Sequence, residues 1–468
     1  GRAFGDDRGG VGGAAGAPGQ TTAAGVATAA VAAGSVVWAT GSLLARHPAH
    51  PAVVAAALIA AALAAALALG QRAYEGRLQS ARDVAYADSR FLNTPAGYAL
   101  HYKRVDANGG RDVALCVHGF GANTYSWEVG GALELLAGLP SVGSALAYDC
   151  PGFGLTERPS TLPGYSLGAY ADAGEALLDA EAGEDADASG PRRLILIGHS
   201  VGGIVATMLA GRLGPERVRA VVLVAPAILA GRSSRARGRE GLLAYCRRRA
   251  EEDTTLLAGA FFTAAAAALA ATRAAFLLGL RAALRASLLA FALPLRLVLR
   301  RLCESKSFWA KGLQSAWYSP IAPTLVDGYA RPARVRGWDA GMVMVIAARL
   351  LVDTLPSPLD ASVDSAGARD GGEGQAGASA EFARNKGDAN DLAALGVPVL
   401  IVHGAQDRLV PASNSARLVN AAVEGAADER TTNVVELVQF DACGHCPQEE
   451  RALEFAGVVE SFLERCPP

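Results

Sequence analysis

Net charge is what this chain has least of. Its 43 Lys and Arg are nearly balanced by 45 Asp and Glu, leaving −2 at neutral pH. No global basic field therefore points to a nucleic-acid partner. Cysteine is sparse and unpatterned: Cys116, Cys150, Cys246, Cys303, Cys443, Cys446 and Cys466 are scattered over 468 residues. An odd, scattered set excludes a small disulfide scaffold and favours a reducing compartment. No internal repeat is present. No second ligand pair has the spacing to complete a zinc site with Cys443 and Cys446, so no metal is expected.

What the chain has in quantity is apolar residue, 51% of the total, with Ala over-used nearly everywhere. Runs of Ala carry correspondingly little information. The length suits one large α/β domain with insertions, or two or three smaller domains.

Residues 1–20 are Gly-rich and aperiodic and read as a disordered segment. Residues 21–45 and 51–70 are two uncharged stretches, each about as long as the roughly 20 apolar residues a bilayer requires. The second carries Leu, Ile and Val among its Ala and is the better candidate. Residues 21–83 are thus expected to be a hydrophobic membrane-anchor region with one span or a two-helix hairpin; the plainer alternative is an Ala-rich linker or soluble helix. Arg72, Arg77, Arg82 and Arg90 follow. By the positive-inside tendency the C-terminal body then faces the cytosol or an equivalent such as the chloroplast stroma.

From residue 84 the pattern changes. Residues 97–105 alternate like a strand, and apolar strand-like runs occur at 112–118, 144–149, 193–198, 219–225, 397–404 and 434–440, with helix-like segments between most of them. Continuous apolar strands alternating with helices predict a mostly parallel sheet covered on both faces. The core is expected over 84–228 and 341–468, with a disordered Ser/Gly/Ala/Asp-rich loop at 357–391. Between the two parts lies a long helical insertion, 229–340. Its first part is basic, with Arg232, Arg235, Arg237, Arg239 and Arg247–Arg249. Its second part, 254–302, is apolar and broken by Arg273, Arg281, Arg285 and Arg296.

Gly198-His199-Ser200-Val201-Gly202 follows the apolar strand Leu194–Ile197 and opens a helical run, Gly203 to Leu213. Strand, sharp turn and helix are the context a nucleophile elbow needs. The turn strains Ser200, and strand and helix approach so closely that side chains at 198 and 202 would clash. A Ser hydroxyl needs a base to take its proton. His445 supplies one, in the turn after the last strand. Asp407, after the strand 397–403, is placed to orient that imidazole; Asp441 is the nearest rival acid and reads as structural. The N–H of Val201 is the first expected oxyanion donor. The second is the N–H of Phe120, in the loop His118-Gly119-Phe120-Gly121.

These residues resemble the α/β-hydrolase superfamily. The motifs are HGFG at 118–121, DCPGFGLTERP at 149–159, GHSVGG at 198–203, HGAQDRLVP at 403–411 and GHCPQEE beginning at 444. More narrowly, ADSRF at 87–91, LQSAWYSP at 313–320 and GYARPARVRGWDAG beginning at 328 look like a group of plant and algal members that carry an N-terminal hydrophobic segment and a long apolar insertion. Some of that group appear with Asp at the elbow position; Ser200 here supports acyl chemistry. The resemblance implies an α/β-hydrolase fold, an insertion lying as a lid over the active site, and a carboxylesterase or lipase type of activity without cofactor. The implied partners are a small hydrophobic acyl substrate and membrane lipids. An acyltransferase on the same triad, or a non-hydrolytic member of the fold, is the alternative.

The apolar faces and Arg edges of 254–302 suit an interfacial helix, and the plainer reading is that these helices pack on the core with solvated Arg. Cys443-Gly444-His445-Cys446 spells a disulfide-isomerase motif, but too few residues follow it to complete a thioredoxin-type domain. A disulfide between the two Cys would distort the His445 turn.

Overall fold

The computed structural model describes residues 51–107, 110–184, 192–228, 256–353, 392, 394–425 and 435–467. The Gly-rich segment 1–20, the first apolar stretch, the basic part of the insertion and the 357–391 loop lie outside the described residues.

Eight strands form one sheet: β1 (Arg90–Asn93), β2 (Ala99–Asp106), β3 (Asp112–Val117), β4 (Val142–Tyr148), β5 (Leu194–His199), β6 (Val218–Val224), β7 (Val399–Gly404) and β8 (Val435–Phe440). Their order is β1-β2-β4-β3-β5-β6-β7-β8. β2 is antiparallel to both neighbours, and every pairing from β4 to β8 is parallel. Seven of these strands lie on the seven expected runs. β1 is additional; four residues are too short to show a period, and it is fixed by pairing such as Phe91 with His101.

The continuous apolar character of the central strands follows from burial on both faces. Leu115, Leu196, Val221 and Ile401 point to one side, against Leu177 of α4 (Leu167–Glu184) and Leu209 of α5 (Val201–Leu213). Cys116, Ile197, Val222 and Leu400 point to the other, against Leu136 of α3 (Ala132–Ala137) and Phe455 and Phe462 of α12 (Ala452–Arg465). Each such side chain contributes roughly 1.5–3 kcal/mol through burial. Because β3 to β8 run parallel, their carboxyl ends share one edge. His118, Asp149, Ser200, Asp407 and His445 all follow strand ends at that edge, which is where open α/β sheets place ligands.

The chain divides into two compact units, Gly1–Gly70 and Gln71–Pro468. The body thus starts at Gln71 rather than near residue 84. Gln79 exchanges backbone hydrogen bonds with Arg334 and Arg336, and Val84 is buried with Leu155 and Val335. The helix α1 spans Pro51–Glu75.

The insertion contains α6 (Leu256–Cys303), α7 (Lys306–Ala316), α8 (Pro323–Ala330) and the start of α9 (Trp338–Ala348). The expected end of the insertion at residue 340 falls inside α9. Two described stretches are long and apolar enough to cross a membrane by length and composition alone, Val54–Glu75 and Thr263–Leu288. The C-terminal part of α6 differs from the rest of that helix. Arg296 and Arg300 are buried and both bond the carboxylate of Asp339, which is 1% exposed. Arg300 also donates to Gln71 Oε1 at 2.7 Å and stacks on Tyr74 at 4.0 Å. Arg296 is therefore not part of a polar stripe facing solvent or lipid. A buried guanidinium stays charged and needs a carboxylate beside it to offset the cost of leaving water, and Asp339 lies too far along the chain for helical spacing to reveal the pairing.

Candidate active site

Ser200 caps α5 with φ 53° and ψ −116°, a left-handed value rare for a residue with a side chain. Its backbone is pinned on both sides. Its N–H donates to Val224 O at 2.8 Å, and its carbonyl accepts from Gly203 N at 3.0 Å and Ala227 N at 3.1 Å. The neighbouring glycines leave no room for a methyl group: a Cβ at Gly198 would stand 2.3 Å from Gly202 O, and one at Gly202 would stand 2.3 Å from Val117 O. The strain at Ser200 is held in place by this contact and by the ladder to β6.

The loop after β3 runs alongside. A Cβ at Gly119 would lie 3.1 Å from Ser200 Cβ. Gly121 has φ 76°, and Ala122 N donates to Gly119 O at 3.3 Å, closing the turn around Phe120. The Phe120 side chain is exposed, with its ring edge-on to Phe153 at 5.5 Å. His118 clamps the base of the loop. Its Nδ1 lies 2.7 Å from Gly119 O, and Cys150 N donates to its Nε2 at 3.0 Å. That pattern makes Nδ1 the protonated nitrogen of a neutral ring, and burial pushes its pKa down.

Asp407 and His445 are brought together. His445 Nδ1 lies 2.6 Å from Asp407 Oδ2, with both side chains buried. Asp407 Oδ1 accepts from Leu409 N at 2.8 Å and Val410 N at 2.9 Å. A second histidine supports the same carboxylate: His403 Nε2 lies 3.0 Å from Oδ2, and Ser415 stands 2.6 Å from His403 Nδ1. Burial alone would raise the Asp407 pKa. The hydrogen bonds from His403 and His445 outweigh it and hold the carboxyl well below its ordinary range. Asp407 is thus ionised at any pH near neutral. Asp441 is exposed and takes no part; its backbone carbonyl accepts from Arg451.

No hydrogen bond joins the Ser200 hydroxyl to the His445 imidazole among the described residues. The contact between their segments runs through His199, whose Nε2 donates to His445 O at 2.9 Å and whose ring lies 4.9 Å from the His445 ring. Burial, then the neighbouring His445, push the His199 pKa down to about 3, so it stays neutral. Catalytic bonds of this kind are often long before substrate arrives.

Several supporting residues were not singled out by sequence reasoning. Asp149 accepts from Thr124 N and Leu155 N and lies 2.7 Å from His101 Nδ1, tying the loop after β4 to the loop after β3. Burial opposes its ionisation, yet His101 and the backbone donors hold its pKa at about 2. Glu449 and Glu450, both in the quoted GHCPQEE motif, join the His445 loop to the insertion. Cys443 and Cys446 are free, buried thiols whose pKa values burial raises. A buried thiol with a raised pKa is unreactive. Among the described residues no cluster of three or more His, Cys, Asp or Glu could hold a metal ion.

A cleft lies beside the loop after β3, between core and insertion. Gly121, Phe153, Trp309, Tyr329, Trp338 and Met342 line it.

A family model for the alpha/beta hydrolase fold matches residues 113–452, well over half of the chain. The chain belongs to the α/β-hydrolase family. No curated protein matches it. Among solved structures it resembles a membrane phospholipase A described as a bacterial virulence factor, at 19% identity and a TM-score of 0.45, over 88% of this chain and 94% of that one. It also resembles a meta-cleavage product hydrolase from Pseudomonas fluorescens, at 19% identity and 0.46, over 80% and 97%. An esterase from Exiguobacterium antarcticum matches at 14% identity and 0.44, over 80% and 98%.

Proposed function

We propose that the chain is a serine acyl hydrolase that cleaves a carboxylic ester, or a related acyl bond, of a hydrophobic substrate. The observation that carries this reading is the buried His445–Asp407 pair, 2.6 Å apart, on the same sheet edge as a serine with φ 53°. With Nδ1–H committed to Asp407, the free Nε2 of His445 is the acceptor for the Ser200 proton. Ser200 Oγ then bonds the substrate carbonyl carbon, and the carbonyl oxygen takes the negative charge. The N–H groups of Phe120 and Val201 are the donors assigned to that oxygen, each worth on the order of 10²–10³ in rate. His445 returns the proton to the leaving group. Water, deprotonated by the same imidazole, releases the acyl group and regenerates Ser200. Asp407 stays ionised throughout and stabilises the imidazolium. No step calls for a metal or organic cofactor.

The two long apolar helices favour a membrane location, which suits a hydrophobic acyl substrate. The Arg residues after α1 favour the cytosolic or stromal side. Labelling by a fluorophosphonate probe tests the chemistry: the wild type should react, and Ser200→Ala should lose all labelling while keeping its circular dichroism. An unlabelled wild type, or full labelling of Ser200→Ala, ends the reading. Flotation with liposomes tests the location. The full chain should float, and its recovery in the soluble fraction would remove the membrane from the proposal.

A further inference from the structure

We infer that Glu450 is a positioning residue: its carboxylate seats the loop of the base on the insertion, so that His445 is placed jointly by the sheet and by the insertion. This rests on the triad reading above. Three observations converge on it.

The amides that precede and include the base are not held by the sheet. Cys443 N–H is the last one tied to the core, donating to Gln406 Oε1 at 3.1 Å. Gly444 N–H donates to Glu450 Oε1 at 2.8 Å, and His445 N–H donates to Ala316 O, the last residue of α7, at 2.6 Å. Glu450 sits in α11 (Pro447–Glu450), directly after the base. Its other oxygen accepts from Tyr318 N at 2.7 Å and Ser319 N at 3.4 Å. One carboxylate thus bridges the imidazole's loop and the segment leaving α7.

The junction is also sterically tight. A Cβ on Gly444 would stand 2.3 Å from Ala316 O and 2.8 Å from Tyr318 N. Beside it, Glu449 Oε1 accepts from Ser126 Oγ at 2.6 Å and from Tyr329 Oη of α8 at 2.5 Å, a second tie between insertion and core. The ring of His445 is therefore oriented by Asp407, and its backbone is held on both sides, its carbonyl by His199 Nε2 at the end of β5 and its N–H by the insertion. An error of about 1 Å in such a group can cost on the order of 10² in rate.

The test uses the full chain, a chromogenic p-nitrophenyl ester, and two variants that act by different routes. Glu450→Gln keeps the size but sets an amide NH2 against either the Gly444 N–H or those of Tyr318 and Ser319. Gly444→Ala keeps the Glu450 carboxylate but wedges a methyl group into the junction, against Ala316 O and against Glu450 Oε1 at 2.9 Å. In both, kcat should fall roughly 10- to 100-fold with KM within about twofold, and hydrogen exchange should quicken in peptides covering 441–447 and 313–319 but not in the sheet. A merely structural tie would quicken exchange without lowering kcat, and that result overturns the inference. Wild-type protein supplies a check without variants: rapid exchange of the Gly444 and His445 amides in the native chain overturns it too. The two failures are distinguishable. A wild type inert to ester and fluorophosphonate ends the triad reading and this one with it, whereas an active wild type with unaffected variants ends this one alone.

Discussion

The two sides of the candidate site are built differently. On the sheet side, Ser200 and the loop around Phe120 are placed by backbone ladders and by glycines packed closer than any side chain allows. On the insertion side, three carboxylates do the placing. Asp339 holds the base of α6, Glu449 holds α8, and Glu450 holds the segment after α7. A ladder distributes its load over many bonds, so no single bond decides where the strand end lies. A carboxylate junction concentrates the load on one group. The first kind of construction should be sensitive to substitutions that change chemistry, the second to substitutions that remove one side chain.

The largest effect is expected on the sheet side. Asp407→Asn keeps the shape but ends the charge and allows the wrong imidazole tautomer. Loss of kcat on the order of 10⁴ is expected, with a lowered melting temperature, because the amide NH2 faces His403 Nε2 while Leu409 N and Val410 N keep their acceptor. Steady-state kinetics and a thermal melt check both halves. A drop below about tenfold would mean that another acid serves His445, and the sheet side would lose its claim to orient the base.

Next in size is an effect on the insertion side that is purely one of stability. Asp339→Ala leaves Arg296 and Arg300 buried without their carboxylate. Burial favours the neutral acid at 339, but the bonds from Arg296 and Arg300 keep its pKa below the ordinary value. Removing one partner from a buried ionic cluster typically costs about 3–5 kcal/mol. The melt should move down by several degrees, and adding Arg296→Met should recover part of the loss. If Asp339→Ala melts with the wild type, the cluster is not what holds α6.

The same contrast explains how far the sequence could be read. The five strands β3 to β7 stand out because burial on both faces makes them continuous apolar runs, and β2 stands out by its alternation. The elbow stands out because Gly198 and Gly202 are forced by a clash between backbones, and such a clash admits one residue type. His445 and Asp407 are legible because each follows a strand end. The supports are not. His403 reaches Asp407 from four residues away, but nothing in HGAQD distinguishes a histidine that hydrogen bonds from one that merely packs. Arg296 looked like a polar edge because helical spacing registers charge and cannot register a partner 43 residues further on. Nothing in GHCPQEE marks Glu449 and Glu450 as supports. Their partners, Tyr329 and Tyr318, lie in an insertion whose docking is set by tertiary contacts.

The smallest expected effect sharpens the comparison from the insertion side. Glu449 is 4% exposed. Burial raises its pKa to about 7 from an ordinary 4.5, even though the hydroxyls of Ser126 and Tyr329 pull the other way. Between those two values the folded protein keeps a proton that the unfolded chain gives up. The stabilisation is therefore full below about pH 4.5, falls as pH rises toward about 7, and is gone above it. The shift corresponds to roughly 3 kcal/mol across that window. His199, pushed down to about 3 by burial, has the opposite slope as the unfolded chain loses its imidazole proton near pH 6.5. The informative quantity is accordingly the difference between wild type and Glu449→Gln, measured by denaturant unfolding from pH 5 to 8. Gln keeps an acceptor for Ser126 and Tyr329 but cannot titrate, so the wild type should lose stability relative to the variant as pH rises and the difference should level off above pH 7. A difference that stays constant across the range would show that Glu449 is already ionised in the folded state, and that the junction between α8 and the core tolerates a buried charge.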